Sequence, residues 1–215
     1  MKTAKGFTLI EVLCVLGILA SLAAILFPTL ASSRRSAKTA VALANIRSTG
    51  QSILLYSADH DDHAPYGADD HARTFPWLFG IYEPLVPRLP LYTDLVSPYA
   101  KSREIYFHPL DEGTHVSERS LRDYVREPSL FKATGSSFLY NVDYGNPSLS
   151  SVDAPSETPM LETAAGFWQC GCDEISLDTS PAEMAERDQS FRYAVCMADG
   201  RATTVTYPYL HRPVP

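Results

Sequence analysis

The feature that most constrains this chain is an apolar run near its N-terminus. From Phe7 to Phe27 the sequence has 21 residues with no proline and one ionisable side chain, Glu11. A helix rises about 1.5 Å per residue, so the run spans about 31 Å, the hydrocarbon thickness of a bilayer. A cleaved secretory signal has an apolar core of only about 7–15 residues and a small-residue cleavage site, which Pro28–Ser33 does not supply. The run therefore predicts a membrane span.

Glu11 is the unusual residue of this predicted span. A charged side chain at the centre of a membrane helix costs roughly 2.5–3.5 kcal/mol by insertion scales, so it requires a partner or a purpose. It lies four residues past Phe7, about 6 Å along a helix. The simplest alternative is a plain membrane anchor in which the Glu11 side chain reaches the lipid headgroups.

Charge is distributed unevenly along the chain. Residues 29–60 carry four basic side chains and one acidic side chain, whereas residues 61–215 carry 12 basic and 23 acidic ones. The acidic body argues against nucleic-acid binding, because neutralising phosphates requires a concentrated basic surface. Basic residues are almost equally numerous on the two sides of the span, so the positive-inside rule does not orient it.

The residues from Lys5 to Leu13 resemble the prepilin-type signal of type IV pilins and of type II secretion pseudopilins; they read Lys-Gly-Phe-Thr-Leu-Ile-Glu-Val-Leu. The resemblance implies that a prepilin peptidase cuts between Gly6 and Phe7 and that Phe7 becomes N-methylated. It also implies that Glu11 acts in assembly, that the N-terminus is cytoplasmic and that the body lies outside the inner membrane. The implied partners are other pilin-like subunits and the secretion or pilus assembly machinery.

The chemistry of these residues agrees with that resemblance. Cleavage would leave an α-amine on Phe7 with a pKa of about 8, and hence a cation near the membrane interface. In a stack of identical spans, Glu11 of one subunit can meet the Phe7 amine of a neighbour. Each polar group in lipid then gains its partner through polymerisation.

The chain divides by sequence into four predicted segments. These are a leader at 1–6, the transmembrane half of a long helix at 7–27, an amphipathic half at 28–58 and an extracytoplasmic head at 59–215. Pro28 removes a helical hydrogen bond and predicts a kink. A stripe of mostly small residues follows, which we expect to pack on the head, the alternative being neighbouring helices. Its members are Leu30, Ala37, Val41, Ala44, Ser48 and Leu55.

An acidic segment ends the predicted helix within Asp59–Pro65. Oxygen ligands in and after this segment would suit Ca²⁺, although no EF-hand pattern is present. We therefore predict a solvated loop without a cofactor, with Ca²⁺ binding as the alternative. The candidate ligands are Asp59, Asp61, Asp62, Asp69 and Asp70.

The body contains short helical and strand-like runs. Leu91–Ala100 predicts a short helix interrupted at Pro98, and Glu104–Phe107 and Ser136–Asn141 predict strands. Two β-rich runs at 192–198 and 201–207 flank Asp199-Gly200 and predict a hairpin with a type I′ turn.

These pieces resemble a large pilin-like subfamily along the whole chain. The matching residues are Tyr56 and Asp59, Pro98 and Tyr99, Phe107-His108-Pro109, Ser136–Asn141 and Asp199-Gly200. The chain departs from that pattern with His108 where cysteine is common, and with Gln189 or Arg192 where histidine is common. The resemblance implies an α+β fold in which a long N-terminal helix carries a small antiparallel sheet.

The sequence contains four cysteines and none of the catalytic motifs considered below. Cys196 either bridges to Cys170 or Cys172, or all three are reduced and buried; Cys14 lies in the span. The sequence has no Gly-x-Ser-x-Gly elbow, no phosphate-binding glycine loop and no His-Glu-x-x-His, so we do not predict an enzyme.

We therefore expect a structural subunit of a pilus or of a type II secretion pseudopilus, with preference for the pseudopilus because of the whole-chain resemblance. The alternative is a membrane-anchored extracytoplasmic module that binds carbohydrate or Ca²⁺ and uses the signal for export. Glu11 distinguishes the two, because assembly needs its carboxylate and an anchor does not.

Overall fold

The computed structural model describes residues 8–74, 84–115, 124–125, 129–141, 148–165, 167–170 and 190–206. The chain forms two compact units, Met1–Ala37 and Lys38–Pro215. The second unit joins residues 38–58 to the predicted head at 59–215, and from here on we call this whole unit the head.

The dominant element is one helix, α1 (Leu9–Asp59), of 51 residues. The predicted long N-terminal helix is confirmed, and it ends inside the acidic segment as expected. Pro28 lies inside α1 and cannot donate a helical hydrogen bond. The hydroxyl of the next residue, Thr29, donates to the carbonyl of Leu26 at 2.8 Å.

In the first unit, none of the described side chains is buried. The large apolar side chains from Leu9 to Leu30 are 41–81% exposed. By length and composition, α1 is apolar enough to cross a membrane. This segment therefore has an apolar surface that the first unit itself does not cover.

The remaining described helices all lie in the head and are short. The predicted helix at Leu91–Ala100 is confirmed as α3 followed by a 3₁₀ turn that contains Pro98. The α-helices are α2 (Asp70–Thr74), α3 (Tyr92–Leu95), α4 (Leu130–Thr134) and α5 (Phe167–Cys170). The 3₁₀ helices are Val86–Arg88, Ser97–Tyr99, Arg103–Tyr106 and Leu149–Ser151.

The described residues of the head form two antiparallel sheets. The smaller one pairs β1 (Thr114–His115) with β2 (Tyr124–Val125). The larger one has the order β3-β4-β5-β6, with every neighbouring pair antiparallel. Its strands are β3 (Phe138–Tyr140), β4 (Pro159–Thr163), β5 (Arg192–Met197) and β6 (Ala202–Thr206). The predicted α+β class is confirmed.

The strand predicted at Glu104–Phe107 is wrong, because Arg103–Tyr106 forms a 3₁₀ helix. Ser102 starts this helix by accepting the N–H of Glu104 at 3.2 Å. Side chains of α1 take the carbonyls that a strand would offer to a neighbour. Asn45 donates to the carbonyl of Phe107 at 2.7 Å and Thr49 to that of Ile105 at 3.0 Å.

The hairpin of β5 and β6 is confirmed, but its predicted type I′ turn is wrong. A type I′ turn needs positive φ at both central residues. Gly200 has a φ of 84°, whereas Asp199 is not among the described residues with positive φ. The Gly200 N–H donates to the Met197 carbonyl at 2.9 Å, and the Met197 N–H donates to the Arg201 carbonyl at 2.9 Å. This geometry is a three-residue loop that closes on a left-handed glycine.

The main core lies between α1 and the larger sheet. Ile46 and Ile53 of α1 are fully buried in one cluster with residues of β3, β4 and β5. At Gly50 the helix and the sheet approach closely, because an added Cβ would clash with Sγ of Cys196. Glycine is therefore required at this crossing for steric reasons.

The stripe expected to pack on the head is mostly exposed, so that expectation is wrong. Val41 and Leu55 are 49% and 54% exposed, and Ala44 is exposed as well. The face of α1 that is buried is turned away from this stripe. It consists of Ala42, Ile46, Thr49, Gly50, Ser52, Ile53 and Ser57.

A second buried region of the head is polar and centres on His108. Its ring Nδ1 accepts the N–H of Leu110 at 3.0 Å, and its Nε2 lies 3.2 Å from the side-chain amide of Gln169. The rings of Phe138 and Trp168 lie 6.3 Å and 5.4 Å from the imidazole, centroid to centroid. Burial lowers the pKa of His108 from 6.5 to about 4.

Candidate functional site

The described chain begins with a closed hydrogen-bond pair at the start of α1. The backbone N–H and the hydroxyl of Thr8 both donate to Oε2 of Glu11, each at 2.8 Å. In return, the N–H of Glu11 approaches Oγ1 of Thr8 at 3.4 Å. Thr8 and Glu11 thus form a capping box, which satisfies two of the backbone donors left free at a helix start.

The capping box gives Glu11 a local structural role that we did not infer from the sequence. The signal was present, because Thr8-Leu9-Ile10-Glu11 has the Thr-x-x-Glu spacing typical of a capping box. Both hydrogen bonds from Thr8 to the carboxylate end on Oε2. The carboxylate is therefore oriented by its own helix.

The surroundings of Glu11 are apolar and uncovered. Ile10 and Val12, its neighbours in sequence, are 69% and 47% exposed. Further along, nothing lies within 4 Å of the position where a Cβ on Gly17 would be. The predicted cleavage and methylation residues, Gly6 and Phe7, lie outside the described residues.

The first of the candidate metal ligands, Asp59, belongs to an aromatic cluster at the end of α1. Oδ2 of Asp59 accepts the hydroxyl of Tyr99 at 2.8 Å, and this bond raises the pKa of Tyr99. The Tyr99 ring meets that of Tyr56 edge to face, with centroids 6.0 Å apart. Three residues of the whole-chain resemblance therefore lie together, and their contact closes the end of the helix.

Asp61 and Asp62 form the turn that follows α1. Their φ angles are 52° and 64°, in the left-handed region that aspartate tolerates better than most residues. Oδ2 of Asp62 accepts the hydroxyl of Ser148 at 2.7 Å and the N–H of Ser150 at 2.8 Å. Hydrogen bonds from Ser150 and Ser148 lower the pKa of Asp62.

Asp69 and Asp70 are buried and connect separate elements of the head. Asp69 accepts the N–H of Ala72 at 3.0 Å and that of Tyr140 at 2.7 Å, so it joins the start of α2 to β3. Both carboxylate oxygens of Asp70 accept the hydroxyl of Thr93 at 3.0 Å. Burial and the nearby Asp69 raise the pKa of Asp70 to about 7.

Four of the five candidate carboxylates, those of Asp59, Asp62, Asp69 and Asp70, thus make structural contacts. Within the described ranges, no group of three or more His, Cys, Asp or Glu side chains is arranged to hold a metal ion. The structure gives each of these carboxylates except Asp61 a side-chain contact to a hydroxyl or a backbone N–H.

The cysteines correct both sequence alternatives. Cys196 is a free, buried thiol, so the alternative in which it bridges to Cys170 or Cys172 is wrong. The other alternative, in which all three cysteines are reduced, is wrong as well, because Cys170 is disulfide-bonded. Burial, and then the charge of Asp199, raise the pKa of Cys196 to about 12. Cys170 is disulfide-bonded, Cys14 is free and exposed, and Cys172 lies outside the described residues.

Comparison with known proteins adds to this geometry. Residues 1–27 match the family described as the prokaryotic N-terminal methylation motif. A type IV wide pilus major component of Thermus thermophilus, PilA4, is 40% identical over 63 residues, which cover 29% of this chain and 48% of that protein. The chain therefore spans about half the length of this curated relative. No solved structure matches the chain. The two matches show that the chain resembles a type IV pilin over part of its length.

Proposed function

We propose that this protein is a structural subunit of a pilin-like filament. A prepilin peptidase cuts between Gly6 and Phe7, Phe7 is N-methylated, and the mature chain assembles through α1. The observation that supports this most directly is Glu11, an oriented carboxylate on a long apolar helix face that the first unit leaves exposed.

The exposed apolar surface requires an environment that excludes water, since uncovered apolar area is unfavourable in water. Lipid supplies that environment before assembly, and the spans of other copies supply it in a filament. A carboxylate needs a cationic partner in either environment, so Glu11 favours the environment that supplies one. The Phe7 amine of a neighbouring copy supplies it after cleavage.

This pairing also sets the geometry of assembly. Phe7 precedes Glu11 by four positions, so the pairing of one copy's amine with another copy's carboxylate displaces neighbouring copies along the helix axis. The contact is heterologous, since one copy contributes the amine and the other contributes the carboxylate. A heterologous contact that does not close generates an open helical filament, and no cofactor enters this assembly.

The same chemistry implies a location. The N-terminus lies in the cytoplasm, α1 crosses the inner membrane once, and the head is extracytoplasmic. Both a type IV pilus and a type II secretion pseudopilus use such a subunit. The wide-pilus relative favours the pilus, whereas the whole-chain resemblance favours the pseudopilus.

Assembly is tested by Glu11→Ala in a host that carries the assembly machinery. We expect the variant to remain in the membrane fraction with a folded head, while the sheared filament fraction falls at least about tenfold, because an unpaired buried charge costs several kcal/mol. Ser21→Ala is the matched control on the same exposed segment and should assemble normally. A filament yield from Glu11→Ala equal to that of the wild type would refute the proposal.

Processing is tested by mass spectrometry of the intact protein from membranes. The expected mass is that of residues 7–215 plus one methyl group. Gly6→Val should leave the leader attached, because the peptidase must accommodate the residue before the cut. A wild-type protein that begins at Met1 contradicts the proposed processing.

The alternative of a Ca²⁺-binding module has its own measurement. We expect the thermal midpoint of the head to stay the same when a chelator is added, since ligand binding would otherwise raise it. A fall in that midpoint with chelator, restored by Ca²⁺, would favour the binding module.

A further inference from the structure

The strand β6 forms one edge of the larger sheet, and each of its residues pairs with one residue of β5. In an antiparallel pair, residues that bond to the partner strand alternate with residues whose backbone groups point away from it. The N–H and the carbonyl of Ala194 in β5 both bond to Oγ1 of Thr163 in β4. Thr204, which lies opposite Ala194, therefore points its N–H and carbonyl away from β5, as do Ala202 and Thr206.

This outer edge of β6 is open. Among the described residues, none outside β5 bonds to the backbone of Ala202, Thr204 or Thr206. Proteins usually protect such an edge with a charged residue, a proline or a bulge. Residues 202–206 contain no charge and no proline, and four of the five are threonine or valine, which favour strands. The edge is therefore suited to pairing with another strand.

The opposite edge of the sheet, β3, is closed by side chains. The N–H of Tyr140 donates to Oδ2 of Asp69 at 2.7 Å. The N–H of Phe138 donates to Oγ of Ser136 at 3.0 Å, and the Ser136 hydroxyl donates to the Phe138 carbonyl at 2.9 Å. The outer N–H groups of β3 are thus already bonded, which disfavours a sheet that continues from β6 of one copy to β3 of the next.

The edge of β6 is complementary to itself. When two copies pair antiparallel and centre on Thr204, Ala202 of one copy lies opposite Thr206 of the other, and the two Thr204 residues face each other. Every outer N–H then meets an outer carbonyl, which gives about six hydrogen bonds. Cross-strand threonine pairs are favourable, and no like charges are opposed, because β6 carries no charge.

We propose that β6 pairs antiparallel with β6 of a second copy of this chain. The two-fold axis of this pair is perpendicular to the sheet. Within the head, α1 runs alongside β5, because a Cβ on Gly50 would meet Cys196 and a Cβ on Gly200 would meet Leu54. The axis therefore turns the head parts of the two α1 helices in opposite directions. Copies paired in this way do not lie side by side in one membrane, so this contact is distinct from the assembly through α1.

Cysteine cross-linking of the full chain in detergent tests the pairing. All variants carry Cys14→Ser, which removes the exposed thiol, and Glu11→Ala, which removes the proposed assembly through α1. In Thr204→Cys the new thiols face each other with Cα atoms about 5.5 Å apart, within disulfide reach. In Thr206→Cys, the matched exposed control, they are about 14 Å apart along the strands. We expect the disulfide dimer of Thr204→Cys to form at least about tenfold faster.

Exchange of charge at Thr204 tests whether the partner is a second copy. Thr204→Lys and Thr204→Glu each place like charges opposite one another, and each should raise the dissociation constant of the dimer about fivefold, measured by sedimentation. An equal mixture of the two variants should restore the dimer, because opposite charges then face each other. Thr204→Val keeps the backbone N–H and should dimerise as the wild type does.

Three results would overturn the proposal. Equal cross-linking rates at positions 204 and 206 would exclude the antiparallel register. A mixture of the lysine and glutamate variants that dimerises no better than either alone would exclude pairing at Thr204. A wild-type head contact that is absent at every concentration would leave β6 to a strand of a different protein. These measurements require neither processing nor a filament, so their failure leaves the proposed function intact, whereas normal filament yield from Glu11→Ala refutes that function alone.

Discussion

Two isoleucines of α1 have opposite surroundings. Ile25, in the first unit, is 69% exposed, whereas Ile53, in the head, is fully buried among residues of the sheet. Both lie in the same helix and have the same helix propensity, so local sequence does not account for the difference. Tertiary packing accounts for it in the head, and it is missing from the described part of the first unit.

The comparison teaches which part of the chain is stable by itself. Most helical stability in proteins comes from packing an amphipathic face. The head contains such a face, a sheet and buried polar contacts. The apolar segment of residues 9–30 has no such partner among residues 8–37 of its own unit, so its stability depends on what surrounds the protein.

The largest difference in the free energy of unfolding of the head should appear between truncation of Ile53 and truncation of Ile25. Ile53→Ala removes fully buried methyl groups and should lower the free energy of unfolding of the head by about 2–5 kcal/mol. Ile25→Ala should leave it unchanged. Urea unfolding of the full chain in detergent, followed by the fluorescence of the buried Trp168, measures both. Equal losses in the two variants would remove the distinction between the units.

The next largest difference in the free energy of unfolding of the head should appear between substitutions of Gly50 and Gly17, the two glycines of α1. Gly50→Ala places a Cβ against Sγ of Cys196 and should cost about 1–3 kcal/mol through overpacking. Gly17→Ala has free space and should leave the unfolding of the head unchanged. Adding Cys196→Ala should restore part of the loss in Gly50→Ala. If the double variant is no more stable than Gly50→Ala, the two residues are not in conflict.

A smaller effect should appear in the pH dependence of the head. The pKa of His108 falls from 6.5 to about 4 on folding, so the unfolded state binds more protons between these values and stability decreases as the pH falls. Nδ1 already accepts an N–H, so a proton added there has no acceptor. Relative to His108→Gln, the wild type should lose roughly 1–2 kcal/mol between about pH 6.5 and pH 5.

The comparison with His108→Gln cancels the titration of the carboxylates that both proteins share, Asp70 among them. Urea midpoints at a series of pH values supply the data. Parallel curves for wild type and variant would show that His108 does not titrate on unfolding. Retention of the chain in vesicles should not follow this pH dependence, since that depends on the first unit.

The smallest effect should come from the surface of the head. Arg103 and Asp94 approach at 3.9 Å, with side chains 67% and 59% exposed. Exposed ion pairs contribute little, because solvent screens them and ordering two long side chains costs entropy. Arg103→Gln should change the free energy of unfolding by less than about 0.5 kcal/mol. A loss comparable to that of Ile53→Ala would show that the surface matters as much as the core.

The sequence predicted what depends on neighbouring residues. The long helix, its end in the acidic segment and the hairpin of β5 and β6 follow from local periodicity and from turn residues. The turn type did not follow, since Asp-Gly is compatible with two loop lengths. The capping box of Thr8 and Glu11 was predictable from its spacing, and we did not infer it.

What the sequence did not predict depends on distant partners. Apart from the N–H of Ala72 on Asp69, the hydrogen bonds to the carboxylates of Asp59, Asp62, Asp69 and Asp70 come from residues 23 to 88 positions away, as in Asp70 with Thr93 and Asp62 with Ser150. Asn45 and Thr49 prevent a strand at Glu104–Phe107 from a distance of about 60 residues. Such contacts exist only once the head is packed, so neither composition nor spacing contains them.

The reactivity of Cys196 reports how often the packing of α1 on the sheet opens. Its thiol lies against Gly50, and its pKa of about 12 keeps it protonated at neutral pH. Alkylation and disulfide exchange proceed through the thiolate, so both reactions must wait until α1 separates from β5. In a chain whose exposed Cys14 is replaced by serine, a thiol reagent can be used to label Cys196. The labelling rate then measures how often this packing opens.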